Sequence, residues 1–165
     1  MKKIYLLALA VIGFSANSFA QSTATASTTA TLITPISISK TNDMNFGLVA
    51  ASGTAGTVLL DYADGRTTTG GVTLVAGALQ KTAKFAVLGE GTNTFSIALP
   101  TAPILLAGNS SGVTVSGFTA DLGLAGTLSG GTQTIFVKAT LNVPASAVAG
   151  SYSNTADLFV TVNYN

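Results

Sequence analysis

The chain has no cysteine, no histidine and no tryptophan, and only 8% of its 165 residues are charged. Without Cys and His it lacks the commonest metal ligands and general bases, so zinc sites and Cys-His or Ser-His nucleophile systems are excluded. Disulfides are excluded as well, and stability must come from burial and backbone hydrogen bonding. Beyond residue 20 no stretch approaches the roughly 18 unbroken apolar residues of a membrane-spanning helix. No metal or cofactor is expected, and no nucleic-acid or anionic-membrane footprint exists, because the basic residues are few and scattered.

The first twenty residues have a different character. Lys2 and Lys3 precede an apolar run from Ile4 to Phe14, and Ser18-Phe19-Ala20 puts small residues at the two positions a signal peptidase reads. The pattern predicts a signal peptide over residues 1–20, cleaved before Gln21, and hence export to the periplasm, the cell surface or the medium. Its apolar run is too short to span a bilayer. Cleavage leaves five basic residues (Lys40, Arg66, Lys81, Lys84 and Lys138) against six acidic ones. A mature chain of this length is long enough to bury a core as a single domain.

The rest of the composition is that of a β protein. Thr, Val, Ile and Phe are plentiful, strong helix formers are scarce, and Gly recurs between short apolar runs. Two segments alternate with the period of two that places one strand face in a core. Ile135, Val137, Ala139, Leu141 and Val143 alternate with Lys138, Thr140 and Asn142. At the end of the chain Ala156, Leu158, Val160, Val162 and Tyr164 share one face, opposite Asp157, Thr161 and Asn163. Shorter runs at Phe85 and Val87, at Phe95, Ile97 and Leu99, and at Val113 and Val115 bring the count to nine or ten strands. Gly70-Gly71 and Gly130-Gly131 predict hairpin turns. Pro35 interrupts the first strand, which suits a sheet edge or a bulge. The one helical stretch, Ala145 to Ala149, is too short to matter. The spacing predicts an all-β, antiparallel sandwich over 32–165, preceded by a flexible Ser/Thr/Ala leader over 21–31.

Candidates for chemistry are sparse. Asp61 and Asp64 lie three apart beside Gly65 and Arg66, well short of the six or more oxygens calcium needs, so they read as a turn cap or a solvated pair. Ser and Thr have no His to activate them, and the chain is expected not to be an enzyme. Threonine abundance without a fixed short repeat fits solvent-facing strand positions.

Several motifs, taken in order, carry a resemblance. Ile33-Thr-Pro-Ile-Ser-Ile-Ser-Lys40, Asp43-Met-Asn-Phe-Gly47, Gly126-Thr-Leu-Ser-Gly-Gly-Thr-Gln-Thr134, Ala149-Gly-Ser-Tyr152 and the ending Val160-Thr-Val-Asn-Tyr-Asn165 resemble the bacterial DUF4402 family over nearly the whole mature chain. More distantly, the Asn-Phe-Gly, the Gly-Ser-Tyr turn and the terminal aromatic strand are similar to spore coat U and chaperone-usher pilin domains. That likeness implies an immunoglobulin-like sandwich with an incomplete sheet edge, filled first by a periplasmic chaperone and then, during usher-guided self-assembly, by a neighbouring subunit's strand. Carried onto this chain, Leu158, Val160, Val162 and Tyr164 form the terminal strand beside the groove, with Leu32, Ile36 and Ile38 opposite. The chain lacks the cysteine pair common in those pilins, and its leader offers only small residues such as Ala24 and Ala26. The implied function is a non-enzymatic cell-surface or adhesion subunit of fimbrial type. The other reading is a self-contained secreted module for a glycan or protein ligand, with Tyr62, Phe118 and Phe159 as its candidate aromatics.

Overall fold

A computed structural model of the chain describes residues 21–77 and 79–165. The signal-peptide expectation for residues 1–20 lies outside the described residues. The chain divides into two units, one ending at Leu32 and the other running from Ile33 to Asn165. In the first, residues 21–32 carry no regular secondary structure and are exposed, as Ser, Thr and Ala with almost no bulky apolar residue would have it.

The second unit is all-β. Its described residues form ten strands: β1 (Ser37–Asn42), β2 (Val49–Leu60), β3 (Arg66–Leu74), β4 (Ala83–Leu88), β5 (Thr94–Ala98), β6 (Ile104–Leu105), β7 (Thr114–Ala120), β8 (Ala125–Thr127), β9 (Thr132–Val143) and β10 (Thr161–Tyr164). All pairings are antiparallel. A seven-stranded sheet runs β1-β4-β9-β2-β3, with β7 on the other edge of β9 and β6 beyond it, and a three-stranded sheet runs β10-β5-β8. The result is the sandwich-like, antiparallel architecture that the alternation foretells.

Strand β9 organises the large sheet. Its first half pairs with β4 (Ala83↔Val137 to Leu88↔Thr132), and its second half pairs along the same edge with β2 (Gly56↔Val143 to Leu60↔Ala139). Strand β7 takes the opposite edge, from Asn142 to Val137. Every odd position of β9 from Ile135 to Val143 is buried. Two apolar cores follow from this switch of partner. One joins β4, the first half of β9, β5 and β10 through Phe85, Val87, Phe95, Ile97, Ile135 and Val162. The other joins β2, β3, β7 and the second half of β9 through Val58, Val72, Val115, Leu141 and Val143.

Three sequence expectations need correction. Gly70-Gly71 is no hairpin turn: it lies inside β3, where the β2–β3 register shifts between Ala51 and Gly56. There the two backbones approach so closely that a Cβ on Gly70 would overlap the Ala55 carbonyl oxygen, and one on Gly71 would overlap that of Thr54. A glycine pair serves a close approach as well as a turn, and the sequence does not distinguish them. Gly130-Gly131 does form its turn, with positive φ at both residues and Ser129 bridged to Thr132. Secondly, Pro35 precedes the first strand rather than interrupting it, since β1 begins at Ser37. Thirdly, the terminal strand is only four residues long. Asn154 bends the chain just before it, its Oδ1 accepting the N–H groups of Ala156 and Asp157, and its Nδ2 donating to the Asp157 carboxylate and the Leu105 carbonyl. Such an Asx turn offers the backbone a partner that competes with a ladder.

Candidate strand-docking edge

The expected groove residues lie on two edge strands, and hydrogen-bond parity fixes which way their backbones point. Asn165 N–H donates to the Thr94 carbonyl at 3.2 Å. Within the register of β10 on β5, that makes 163/96 and 161/98 the bonded pairs. The N–H and C=O groups of Val162 and Tyr164 therefore point away from β5, to the outer edge. On the other sheet, Gly89 N–H donates to the Gly131 carbonyl at 2.9 Å. This directs alternate β4 residues toward β9, so Ala86 and Leu88 bond Ser39 and Ser37. Ile38 is left with its backbone groups on the outer edge of β1. Among the described residues no ladder joins β1 to β10.

The side chains at the same positions point inward. Val162 is a member of the first core, and Ile36, Ile38, Leu158, Val160 and Tyr164, all half-buried, pack against it. Six of the seven expected residues thus gather around one core. The seventh does not: Leu32 is 93% exposed and belongs to the leading unit, ahead of Pro35 and β1.

A polar latch, not foreseen from sequence, ties one end of these edges together. Glu90, in the β4–β5 turn, donates its N–H to the Tyr164 hydroxyl at 2.7 Å, and that hydroxyl donates to the Thr34 carbonyl at 2.9 Å. Thr34 answers with its hydroxyl and N–H, donating to the Glu90 carboxylate at 2.7 and 3.3 Å. The Thr34 hydroxyl first, and its N–H second, hold the Glu90 carboxyl below its ordinary range. Gly89 makes room for the latch, because a Cβ there would overlap the Tyr164 hydroxyl. An exposed Thr and a Glu between two glycines carry no pattern that announces such a cluster.

Elsewhere the polar residues do structural work. Asp61 caps its turn by accepting the N–H groups of Ala63 and Gly65 at 2.8 and 2.7 Å. Asp64, at a φ of 64°, accepts the Thr82 N–H at 2.6 Å and the Lys81 ammonium at 2.9 Å. The Thr82 bond first, then Lys81, lowers the Asp64 pKa from its ordinary value. No group of three or more acidic residues among the described residues could hold a metal ion. No helix among them is long and apolar enough to cross a membrane. Of the aromatics, Phe118 packs into both cores, whereas Phe159 is 53% exposed. Phe159 sits at an open hollow of about 490 Å³ lined also by Pro103, Leu105 and Asp157.

What the edges can do is backbone chemistry: two rows of N–H and C=O groups, above inward-facing apolar side chains, fit an added β-strand. Comparison with curated proteins and with solved structures gives no match. Residues 36–164, from just ahead of β1 to the end of β10, match the family described as Domain of unknown function (DUF4402), and the chain belongs to that family.

Proposed function

We propose that the protein is an exported, non-enzymatic cell-surface structural or adhesion subunit of fimbrial type, whose β1 and β10 edges accept an extended strand from another protein. The observation that carries this reading is the coincidence at Ile38, Val162 and Tyr164 of outward backbone groups and side chains packed on one core. A strand laid along either edge extends a sheet and covers half-buried apolar surface at once. The signal-like N-terminus and the likeness to pilin domains support export and a chaperone as first partner. The chain's own leader, with small side chains such as Ala24 and Ala26, acts as a tether rather than as the inserted strand.

The test is urea unfolding with sizing chromatography of residues 21–165 made alone, then with a strand peptide or a chaperone supplied. Marginal folding or aggregation, rescued by the added strand, is the expected result. A cooperative transition from a stable monomer that ignores the peptide overturns the proposal. That outcome favours the second reading, a self-contained secreted binding module, which draws on the exposed Phe159 and its hollow.

A further inference from the structure

The outer face of the seven-stranded sheet, remote in kind from the docking edges, concentrates the positive charge that is left without a carboxylate partner among the described residues. Lys40 pairs with Asp43, Lys81 pairs with Asp64, and Arg66 donates to the carbonyls of Phe46 and Leu48. Among the described residues Lys84 and Lys138 have no carboxylate at ion-pair distance. Each instead stands over an aromatic ring, Lys84 at 5.3 Å from the Phe136 centroid and Lys138 at 5.0 Å from that of Tyr62.

The register puts all four side chains on one surface. Phe136 and Lys138 occupy the positions of β9 that alternate with buried Ile135, Val137 and Ala139. Lys84 lies opposite Phe136, hence diagonal to Lys138 at about 7–8 Å. Tyr62 follows β2 on one edge of β9, yet its hydroxyl donates to the Ala120 carbonyl at 3.1 Å and to the Thr119 hydroxyl at 3.3 Å on β7, the other edge. Its ring therefore crosses the outer face of β9 beneath Lys138. Asp121 accepts the Phe136 N–H at 2.9 Å, beside the strand, and Asp64 accepts the Thr82 N–H at 2.6 Å and pairs with Lys81.

Beyond Lys138 the same face becomes uncharged and rich in hydroxyls and amides. Asn142 donates to the Ser116 hydroxyl at 3.0 Å, and the hydroxyls of Thr57 and Thr69 bond each other at 2.7 Å. Thr57, Thr69 and Asn142 line an open hollow of about 390 Å³ there. From Phe136 to Asn142 the strip runs about 20 Å at the usual strand rise. A flat surface of this length, without a deep cavity, fits a polymer better than a single sugar.

We propose that this face binds an acidic polysaccharide. Lys84 and Lys138 exchange their attraction to the rings for ion pairs with sugar carboxylates. The Phe136 and Tyr62 rings pack against the C–H faces of the sugars. The row of Thr57, Thr69 and Asn142 satisfies sugar hydroxyls.

Calorimetric titration of the full exported chain with polygalacturonate, and with a neutral galactan of matched length, tests this. Polygalacturonate binds at low salt and at least tenfold tighter than the neutral polymer, and its binding weakens as salt rises. The variant carrying Lys84→Gln and Lys138→Gln, which keeps most of each side-chain stem, loses at least tenfold in affinity, while the corresponding double Arg variant retains it. Phe136→Leu, which keeps apolar volume without a ring, weakens binding severalfold. The proposal is overturned if polygalacturonate fails to bind, if the neutral polymer binds equally, or if the double Gln variant, folded by its unfolding midpoint, binds like the parent. Equal affinity for a single-stranded oligonucleotide overturns it too, by showing a response to charge alone. The strand-peptide experiment reads a different surface, so either proposal can fail without the other.

Discussion

Two segments alternate in the same way, yet the fold treats them differently. In β9 the inward residues from Ile135 to Val143 are all buried, because the strand has neighbours on both edges along much of its length and apolar layers beneath. From Leu158 to Tyr164 the inward residues are half-buried except Val162, because only four residues form a strand and β5 is its one partner among the described residues. Alternation reports which face a side chain takes. How deep that face lies depends on how many strands flank it, which is a property of topology.

The largest effect that would test this contrast is in β9. Ile135→Ala should cost about 2–5 kcal/mol, read as a shift of the urea midpoint at constant slope. The same change at Ile38, on the outer strand, should cost about 1–2 kcal/mol, since only part of its apolar area leaves water on folding. Equal losses at the two sites would break the comparison. A strand peptide that restores stability to Ile38→Ala but not to Ile135→Ala would sharpen it.

Polar contacts at the edge should matter less. Tyr164→Phe removes the hydroxyl between Glu90 and Thr34 and should cost about 1 kcal/mol, with faster amide exchange at β10 than at β9. Uniform loss of protection across the unit would contradict a local latch.

Acid should give the smallest change. Asp64 and Glu90 are both held below the ordinary carboxylate range when folded, Asp64 first by the Thr82 N–H and Glu90 first by the Thr34 hydroxyl. The folded state thus favours the ionised forms. Their contribution is complete above the unfolded carboxylate pKa of about 4 and disappears as pH falls through the lower folded value. Glu90 is exposed and Asp64 only half-buried, so the urea midpoint should drop only slightly between pH 6 and pH 3. Glu90→Gln should flatten the part of that drop seen in β10 exchange and leave the Asp64 part intact. A midpoint that rises on acidification would contradict the sign.

Strand character was legible wherever inward residues alternate over several positions, as in β9 and around Phe95 and Ile97. The Gly130-Gly131 turn was legible, since it follows the expectation for a glycine pair between strands, with positive φ at both residues. Gly70-Gly71 was not, since close approach across a bulge uses the same residue for a different reason. Nor was the short length of β10, which depends on a side-chain bond from Asn154 to a strand some fifty positions earlier. The apolar cluster along β1 and β10 was legible as a set of side chains at Ile36, Ile38, Leu158, Val160, Val162 and Tyr164. Its latch was not, because Thr34, Glu90 and Tyr164 meet only through long-range topology.

The position of β9 along the chain also sets a schedule. Strands β2 and β4 both need its edge, and it spans residues 132–143. A chain emerging from a ribosome or a translocation pore therefore makes most of its strands before their common neighbour exists. Those strands wait as unpaired, apolar segments, and their closure depends on contacts far apart in sequence, which slows folding and leaves edges open to other chains. A helper that holds the emerging strands apart until residue 143 is out would raise the yield of folded protein without changing its final stability.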